Sequence, residues 1–416
     1  MMAFAGLLFS KKLVGDFFTP PAIYNFFWAF GLGALELGWV DFDPLRAQVW
    51  MVIGLGYLGF MGGACIPGIY GTFRSGWLNA EPDFRHMDRK KFEIALFVLL
   101  CLGILGFVVQ LAHLQMTLGL GSFLSDPQLA REEHSNVKYI GLLNVLNVAN
   151  FVMALMYLLL YKRPKKWVVL IMVWALATTF VTTDRTRFFY MVIWSFYIGV
   201  FLFRRLNITP RFVMALGTTF LALFGFFVLV AKMYKKEAFE DNMEYVKISK
   251  TYSALVDPYI YLTGSYPVLQ AFIDDHQQST YGKASMGPVV KIIELFYPEL
   301  ERIEIIGKFY RVPIELNACT WLEPFYKDFG MIGVLAGPFI MGLLCMWSYL
   351  AMRQRKTIFT VYFTSLLCFC TTISGFVNHF TQLATWFFVA VGYLVYRFCY
   401  TSTLQPDDFR EKIFKI

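Results

Sequence analysis

The stretch VTTDRTRFF, residues 181–189, sets one carboxylate and two guanidinium groups, Asp184, Arg185 and Arg187, between the apolar runs Trp167 to Val181 and Phe188 to Phe203. Ionisable groups in such surroundings cost about 2.5–3.5 kcal/mol each on insertion scales and usually face a cavity, a partner or a pathway. Asp184 can neutralise only one of the two arginines, which leaves a positive charge over. A guanidinium fork matches phosphate oxygens, and a helix beginning near residue 186 would aim its positive dipole end at the same place. The chemistry this favours is the holding of an anion in the lipid phase, a diphosphate first among them. The plainer alternative pairs Asp184 with one arginine and lets the other reach the headgroups along its aliphatic stem. Lys232, Lys235 and Lys236, in VAKMYKKEAF, either extend the same basic face or mark the watery end of a span.

A reaction at that anion would also need a proton acceptor and a surface for its partner. Acceptor candidates outside the apolar runs are Glu237, Asp257, His276, Glu315, Glu323 and His379. His379, in GFVNHFTQ, stands nearest an apolar segment, where a histidine is as readily an interfacial residue as a base. His134 and His276 read as solvent-exposed loop residues, and His86 falls on the opposite side. Tyr252, Tyr259, Tyr261, Tyr266, Trp321 and Tyr326 could stack on sugar faces or form an ordinary interfacial belt. No His/Cys cluster or paired-aspartate motif accompanies them, so no metal and no other cofactor is expected.

The elements that must position these groups follow from composition. The chain has 416 residues, 57% apolar and 19% aromatic but only 16% charged, well short of the roughly one-quarter charged content of soluble domains. Runs such as FEIALFVLLCLGILGFVVQLA suit membrane helices of about 20 residues and exclude the short alternating segments of a β-barrel. The expected fold is all-α: a polytopic integral membrane protein with about ten spans, near residues 20–40, 47–69, 92–112, 140–161, 167–182, 188–203, 212–231, 329–351, 358–376 and 380–399. Alternate short loops carry five (70–91), four (KRPKK), three (RRLNITPR) and three (RQRK) basic residues, against one, two, two and none in the other set. The positive-inside rule then places both termini in the cytoplasm and the Asp184 turn outside.

The same rule puts residues 233–328 outside as one large helical loop, with 14 of the 29 acidic residues of the chain. Its segment DPYIYLTGSYPVLQAFIDD has helical apolar spacing, and no strand pattern is evident. The expected organisation is a membrane domain over 1–232 with about seven spans, a helical lid over 233–328 on the membrane face, membrane helices over 329–400 and a cytoplasmic tail over 401–416. The net charge of +8 lies in loops with no basic stripe, so nucleic acid is not an expected partner. Six of the seven cysteines fall in apolar segments and only Cys319 in a polar one, so no disulfide framework is expected. The lysines of MMAFAGLLFSKK follow the apolar patch, the reverse of a cleavable signal. Between KRPKK and RR there are 37 residues, fewer than the roughly 40 that two full crossings need, so the Asp184 turn is expected to lie partly below the outer surface.

Two stretches carry a family resemblance. TTDRTRFFYMVIW looks like the Arg-Thr pair opening a hydrophobic helix in Wzy-type oligosaccharide repeat-unit polymerases, the bacterial O-antigen, capsule and exopolysaccharide polymerases. NACTWLEPFYKDFGMIGVLAGPFIMGLL, residues 317–344, is similar to that family's Asn-x-x-Thr, Phe-Tyr-x-Asp-Phe-Gly and Gly-rich span. Between them YLTGSYPVLQAF resembles the family's Tyr-Leu-Thr segment. The resemblance covers roughly residues 140–400.

It implies an enzyme of the bacterial inner membrane that polymerises undecaprenyl-diphosphate-linked oligosaccharide repeat units on the extracytoplasmic face, for lipopolysaccharide or capsule biosynthesis. The glycosyl transfer would be inverting and metal-independent, with the lipid diphosphate leaving. Arg185, Arg187 and His379 would be the catalytic residues, and Lys232, Lys236, Tyr261, Asn317, Thr320 and Tyr326 would bind substrate. Besides the lipid-linked oligosaccharide and the bilayer, a chain-length regulator protein is an implied partner. An O-antigen ligase-like transferase would share the donor, and a flippase for lipid-linked oligosaccharide is the reading from another class. A flippase would carry charges through several spans and often show two related halves, which this chain does not. DFG at residues 328–330 also occurs in protein kinases, but no Gly-rich loop or His-Arg-Asp loop accompanies it, so Asp328 is expected to be a helix N-cap.

Overall fold

The computed structural model describes residues 18–73, 83–119, 143–182, 185–203, 243–276, 278–297 and 308–402, with scattered positions among 6–16, at 121 and in 214–225. Asp184, Lys232 and Lys236, and nearly all of the span expected at 212–231, lie outside the described residues, as does the side chain of Arg185.

The described chain is predominantly helical. In order come α1 (Pro20–Leu35), α2 (Ala47–Phe73), α3 (Arg89–Thr117), α4 (Leu146–Leu160), α5 (Trp167–Thr182), α6 (Arg185–Phe189), a π-helical turn over Tyr190–Trp194 and α7 (Ser195–Leu202). There follow α8 (Val256–Thr263), α9 (Ser265–Asp275), α10 (Gly287–Phe296), strands β1 (Tyr310–Arg311) and β2 (Glu315–Leu316), then α11 (Glu323–Gln354), α12 (Ile358–Thr372) and α13 (Leu383–Cys399). Among the described residues, four helices are long and apolar enough to cross a membrane: Ala47–Gly71, Arg89–Thr117, Leu143–Leu160 and Glu323–Gln354. Trp167–Thr182, Thr186–Leu202, Ile358–Thr372 and Leu383–Cys399 are shorter apolar helices.

Local chemistry fixes where these helices start. Before α1, Thr19 is extended and its Oγ1 accepts from the Ala22 amide at 3.4 Å, while Pro20 and Pro21 have no amides left to satisfy. Before α3, Asp88 Oδ1 accepts from the Lys90 and Lys91 amides at 2.8 and 3.1 Å.

The chain divides into two compact units. The first holds residues 1–80, 237–354 and 366–386. Its central packing is α2 against α11, and the small residues Gly59 and Gly63 on α2 and Gly342 on α11 make it possible. A Cβ at these positions would run into the carbonyl oxygens of Leu335, Phe339 and Phe60 respectively. Such close backbone approach is the usual way that apolar helices associate where burial from water supplies no drive. Above this contact Tyr24 and Trp28 of α1, Phe60, Tyr266, Trp321 and Phe380 form a contiguous aromatic core, with neighbouring centroids 4.3–5.8 Å apart. A smaller core joins Val40, Val256, Tyr259, Ile260 and Ile314.

The segment DPYIYLTGSYPVLQAFIDD is helical as its spacing indicates, broken at Gly264 into α8 and α9. The expectation of no strand in residues 233–328 is corrected by β1 and β2, an antiparallel pair with Tyr310 opposite Leu316. Two residues per strand are too few to leave an alternating signal in the sequence.

The second unit holds residues 81–236, 355–365 and 387–416. There Asn144, Asn147 and Asn150, three apart and so on one helical face, tie their helix to α3. Asn144 donates to Gln110 Oε1, Asn147 to the Gly103 carbonyl at 3.2 Å and Asn150 to the Leu96 carbonyl at 3.2 Å. At the KRPKK end, Glu93 accepts from Arg89 at 3.1 Å, Tyr157 at 2.6 Å and Lys165 at 2.5 Å. Trp194, in the π-helical turn, is buried against Tyr362 and Phe388 and donates to the Tyr362 carbonyl at 3.1 Å.

Candidate functional site

In the first unit, the C-terminal end of α9 gathers side chains suited to binding a polyhydroxylated ligand. The helix ends on Phe272, Asp274, Asp275 and His276, with the His276 ring stacked on Phe272 at 5.1 Å. Tyr326, in the first turn of α11, stands edge-on to both rings at 6.1 Å, and its hydroxyl accepts from Gln48 Nε2 at 3.4 Å. Arg46, just before α2, holds Asp274 at 3.0 Å while its amide donates to Gln270 at 2.8 Å. On the β1 side, Lys308 Nζ and the Tyr310 hydroxyl both donate to Asp275 Oδ2, at 2.8 and 3.4 Å.

The electrostatics of this cluster draw in two further residues. Lys308 beside Asp275 holds that carboxyl below its ordinary range. Burial, then the charge and hydrogen bond of Asp275, with the Glu323 carboxylate adding, pushes the Tyr310 phenol up to about 12. Burial and then the Glu323 carboxylate raise the Cys319 thiol well above its ordinary value. Glu323 opens α11 one turn before Lys327, and its amide donates to the Thr320 carbonyl at 3.1 Å. The patch offers ring faces for the C–H faces of a sugar, carboxylates and an amide for its hydroxyls, and a half-buried acid beside them.

The turn between α12 and α13 collects three other sequence candidates. His379 is 2% exposed and packs on Phe369 at 5.4 Å. Thr320 is fully buried, and its neighbour Trp321 donates its amide to the Ser374 carbonyl at 2.9 Å and accepts from Asn378 Nδ2 at 2.8 Å. Tyr261 stacks on Phe376 at 5.2 Å. The His379 carbonyl accepts from the Gln382 amide at 3.3 Å within the turn. Asn317 lies half-buried ahead of Cys319. Thus Tyr326 falls in the α9 patch, whereas His379, Thr320 and Tyr261 surround the α12–α13 turn.

Asp328 does not cap a helix through its carboxylate as expected. It sits fully buried where α11 kinks, with Phe329 at φ −139° and Gly330 at φ 57°. Its side chain accepts from the Ala284 and Ser285 amides at 3.1 and 2.6 Å and from the Thr280 hydroxyl, while its carbonyl accepts from Ser279. It is thus the tie that holds turn 279–285 to α11. A positive φ makes Gly330 the natural residue for the kink.

Arg185 and Arg187 belong to the second unit, at the start of α6. Arg187 is half-buried, as a charge sunk in apolar surroundings would be. Sequence reasoning did not mark Gln48, Asp275, Lys308 or Tyr310, which come from three separated segments and form no motif. Among the described residues, no three His, Cys, Asp or Glu side chains are grouped to hold a metal ion. No protein-family model, curated protein or solved structure matches the chain, so the chemistry of its own residues carries the functional reading.

Proposed function

We propose that the chain is a polytopic bacterial inner-membrane glycosyltransferase with cytoplasmic termini, polymerising oligosaccharide repeat units carried on undecaprenyl diphosphate at the extracytoplasmic face. The observation that carries this reading is the α9 patch. Rings of His276 and Tyr326 and the carboxylates of Asp275 and Glu323, from the long acid-rich segment 233–328, are joined by the Gln48 amide of α2 in a carbohydrate-suited surface. The arginine turn of the second unit is proposed separately, from its sequence, as a cationic place for a lipid diphosphate.

In the reaction, a hydroxyl oxygen of the incoming lipid-linked unit attacks the anomeric carbon of the growing chain. The C–O bond to the diphosphate breaks, undecaprenyl diphosphate leaves with the bonding pair, and the hydroxyl proton passes to a carboxylate. Arg185 and Arg187 stabilise the charge developing on the leaving group, with Lys232 and Lys236 extending the basic face; such oriented cations are often the largest single catalytic contribution. In the first unit, Glu323 is the proposed acceptor, because Lys308 already holds Asp275 as a weak base. Tyr326 stacks on the sugar, and Thr320, Asn317 and Tyr261 shape the adjoining segment. The same patch would serve a ligase-like enzyme with another acceptor.

Purified protein given a lipid-diphosphate-linked repeat unit should make a ladder of polymer lengths. A product of single transfers to another acceptor would favour the ligase-like enzyme. Absence of both products would reject the glycosyltransferase reading.

A further inference from the structure

Helix α10 is built inside out. Its exposed side chains are Val289, Ile292, Ile293 and Phe296, the last 76% exposed. Their i, i+3, i+4, i+7 spacing gathers them on an arc of about 100°. The opposite side carries the buried Gly287 and Val290 and the half-buried Lys291 and Glu294. A helix lying on a protein in water places these two faces the other way round, since a compact exposed apolar stripe of this kind marks an interface.

What adjoins the stripe identifies the partner. Gly287 packs against the Thr381 carbonyl, in the turn where α12 and α13 meet, so α10 lies at the level at which those apolar helices end. The preceding turn is tied to α11 by Asp328, and a Cβ at Gly282 would touch Phe329 Cζ at 3.6 Å. Just beyond, α11 turns outward Phe329, Ile332 and Leu335, with Ile332 77% exposed. On a helix long and apolar enough to cross a membrane, such a face meets acyl chains. An apolar stripe on a helix tied beside that face suits the level where the bilayer meets water, and Tyr297 at its end suits the headgroups.

We infer that α10 is an interfacial anchor that sinks its Val289–Phe296 stripe into one leaflet of the bilayer, at the level where α11 enters it. The inference rests on the membrane-spanning reading of α11 and is independent of any catalytic role. It assigns residues 279–296 a lipid partner, which fixes the height of the neighbouring α9 patch above the membrane.

The test uses the full chain with Cys101→Ser, carrying Ile292→Cys or Phe296→Cys labelled with an environment-sensitive nitrobenzoxadiazole dye, in phosphatidylcholine–phosphatidylglycerol vesicles. Ile340→Cys, on the exposed face of α11, serves as the reference position. The expected result is blue-shifted emission at 292 and 296, quenched by lipids with a nitroxide near the headgroup and several-fold less by aqueous iodide. Label at 340 should be quenched best by lipids with the nitroxide deep in the acyl chain. Iodide quenching at 292 and 296 would overturn the anchor by placing α10 in water. Protection from both quenchers would overturn it by showing that protein covers the stripe. If position 340 is also open to iodide, the membrane-spanning reading of α11 falls as well.

Discussion

At the residue scale, two acids of the first unit differ in their surroundings: Glu323, a sequence candidate, and Asp275, which the sequence did not mark. Asp275 is engaged by Lys308 and Tyr310, whereas Glu323 lies close enough to raise Tyr310 and Cys319. Glu323→Gln should therefore lower polymerisation by about 10²–10⁴-fold with substrate binding retained, the range of a lost general base. Asp275→Asn should act mainly on KM, and equal loss of kcat in the two variants would contradict the assignment. Because the Asp275 carboxyl is held below its ordinary range, its bond to Lys308 is present above that range and disappears only as pH falls through the depressed value. Oligosaccharide binding measured against pH should thus stay level through the ordinary carboxylate range and weaken below it. For the diphosphate, Arg185→Ala should reduce kcat by on the order of 10²–10³, the usual effect of deleting one oriented charge-stabilising donor. Full activity in that variant would remove the arginine turn from the mechanism. The net charge of residues 184–187 is a count along the sequence and needs no contacts. The α9 patch was not legible there, since Gln48, Asp275, Tyr310 and Tyr326 become neighbours only through folding.

At the element scale, the packing of α2 on α11 depends on positions where a side chain cannot be added. Gly63 lies against the Phe339 carbonyl, and Gly59 and Gly63 form a G-x-x-x-G pair in an apolar helix, a sequence signal for close helix association. Gly63→Leu should destabilise the first unit by about 1–3 kcal/mol, the usual result of overpacking, seen as a lower unfolding temperature in detergent. An unchanged temperature would mean that the two backbones do not approach as described. The four long apolar helices, Ala47–Gly71, Arg89–Thr117, Leu143–Leu160 and Glu323–Gln354, were legible from hydropathy, whereas the caps Thr19 and Asp88 were not read from the sequence. The role of Asp328 was not legible either, because a residue before an apolar run looks like an N-cap whichever amides its carboxylate takes. Its partners Ala284 and Ser285 lie over forty residues upstream.

At the scale of the whole molecule, the division into units follows contacts that cross the linear order. Residues 366–386 belong with 1–80, and residues 355–365 and 387–416 with 81–236. Hydropathy and loop charge run along the chain one segment at a time, so they register apolar helices but not this interleaving. The central claim is that the molecule joins sugars by displacing a lipid diphosphate. Its most direct test is to count products in one reaction of purified protein with lipid-diphosphate-linked repeat units. The account predicts one undecaprenyl diphosphate released for each new glycosidic bond, with inversion at the anomeric carbon. Movement of intact lipid-linked oligosaccharide across a vesicle membrane, with neither a bond formed nor diphosphate released, would contradict it.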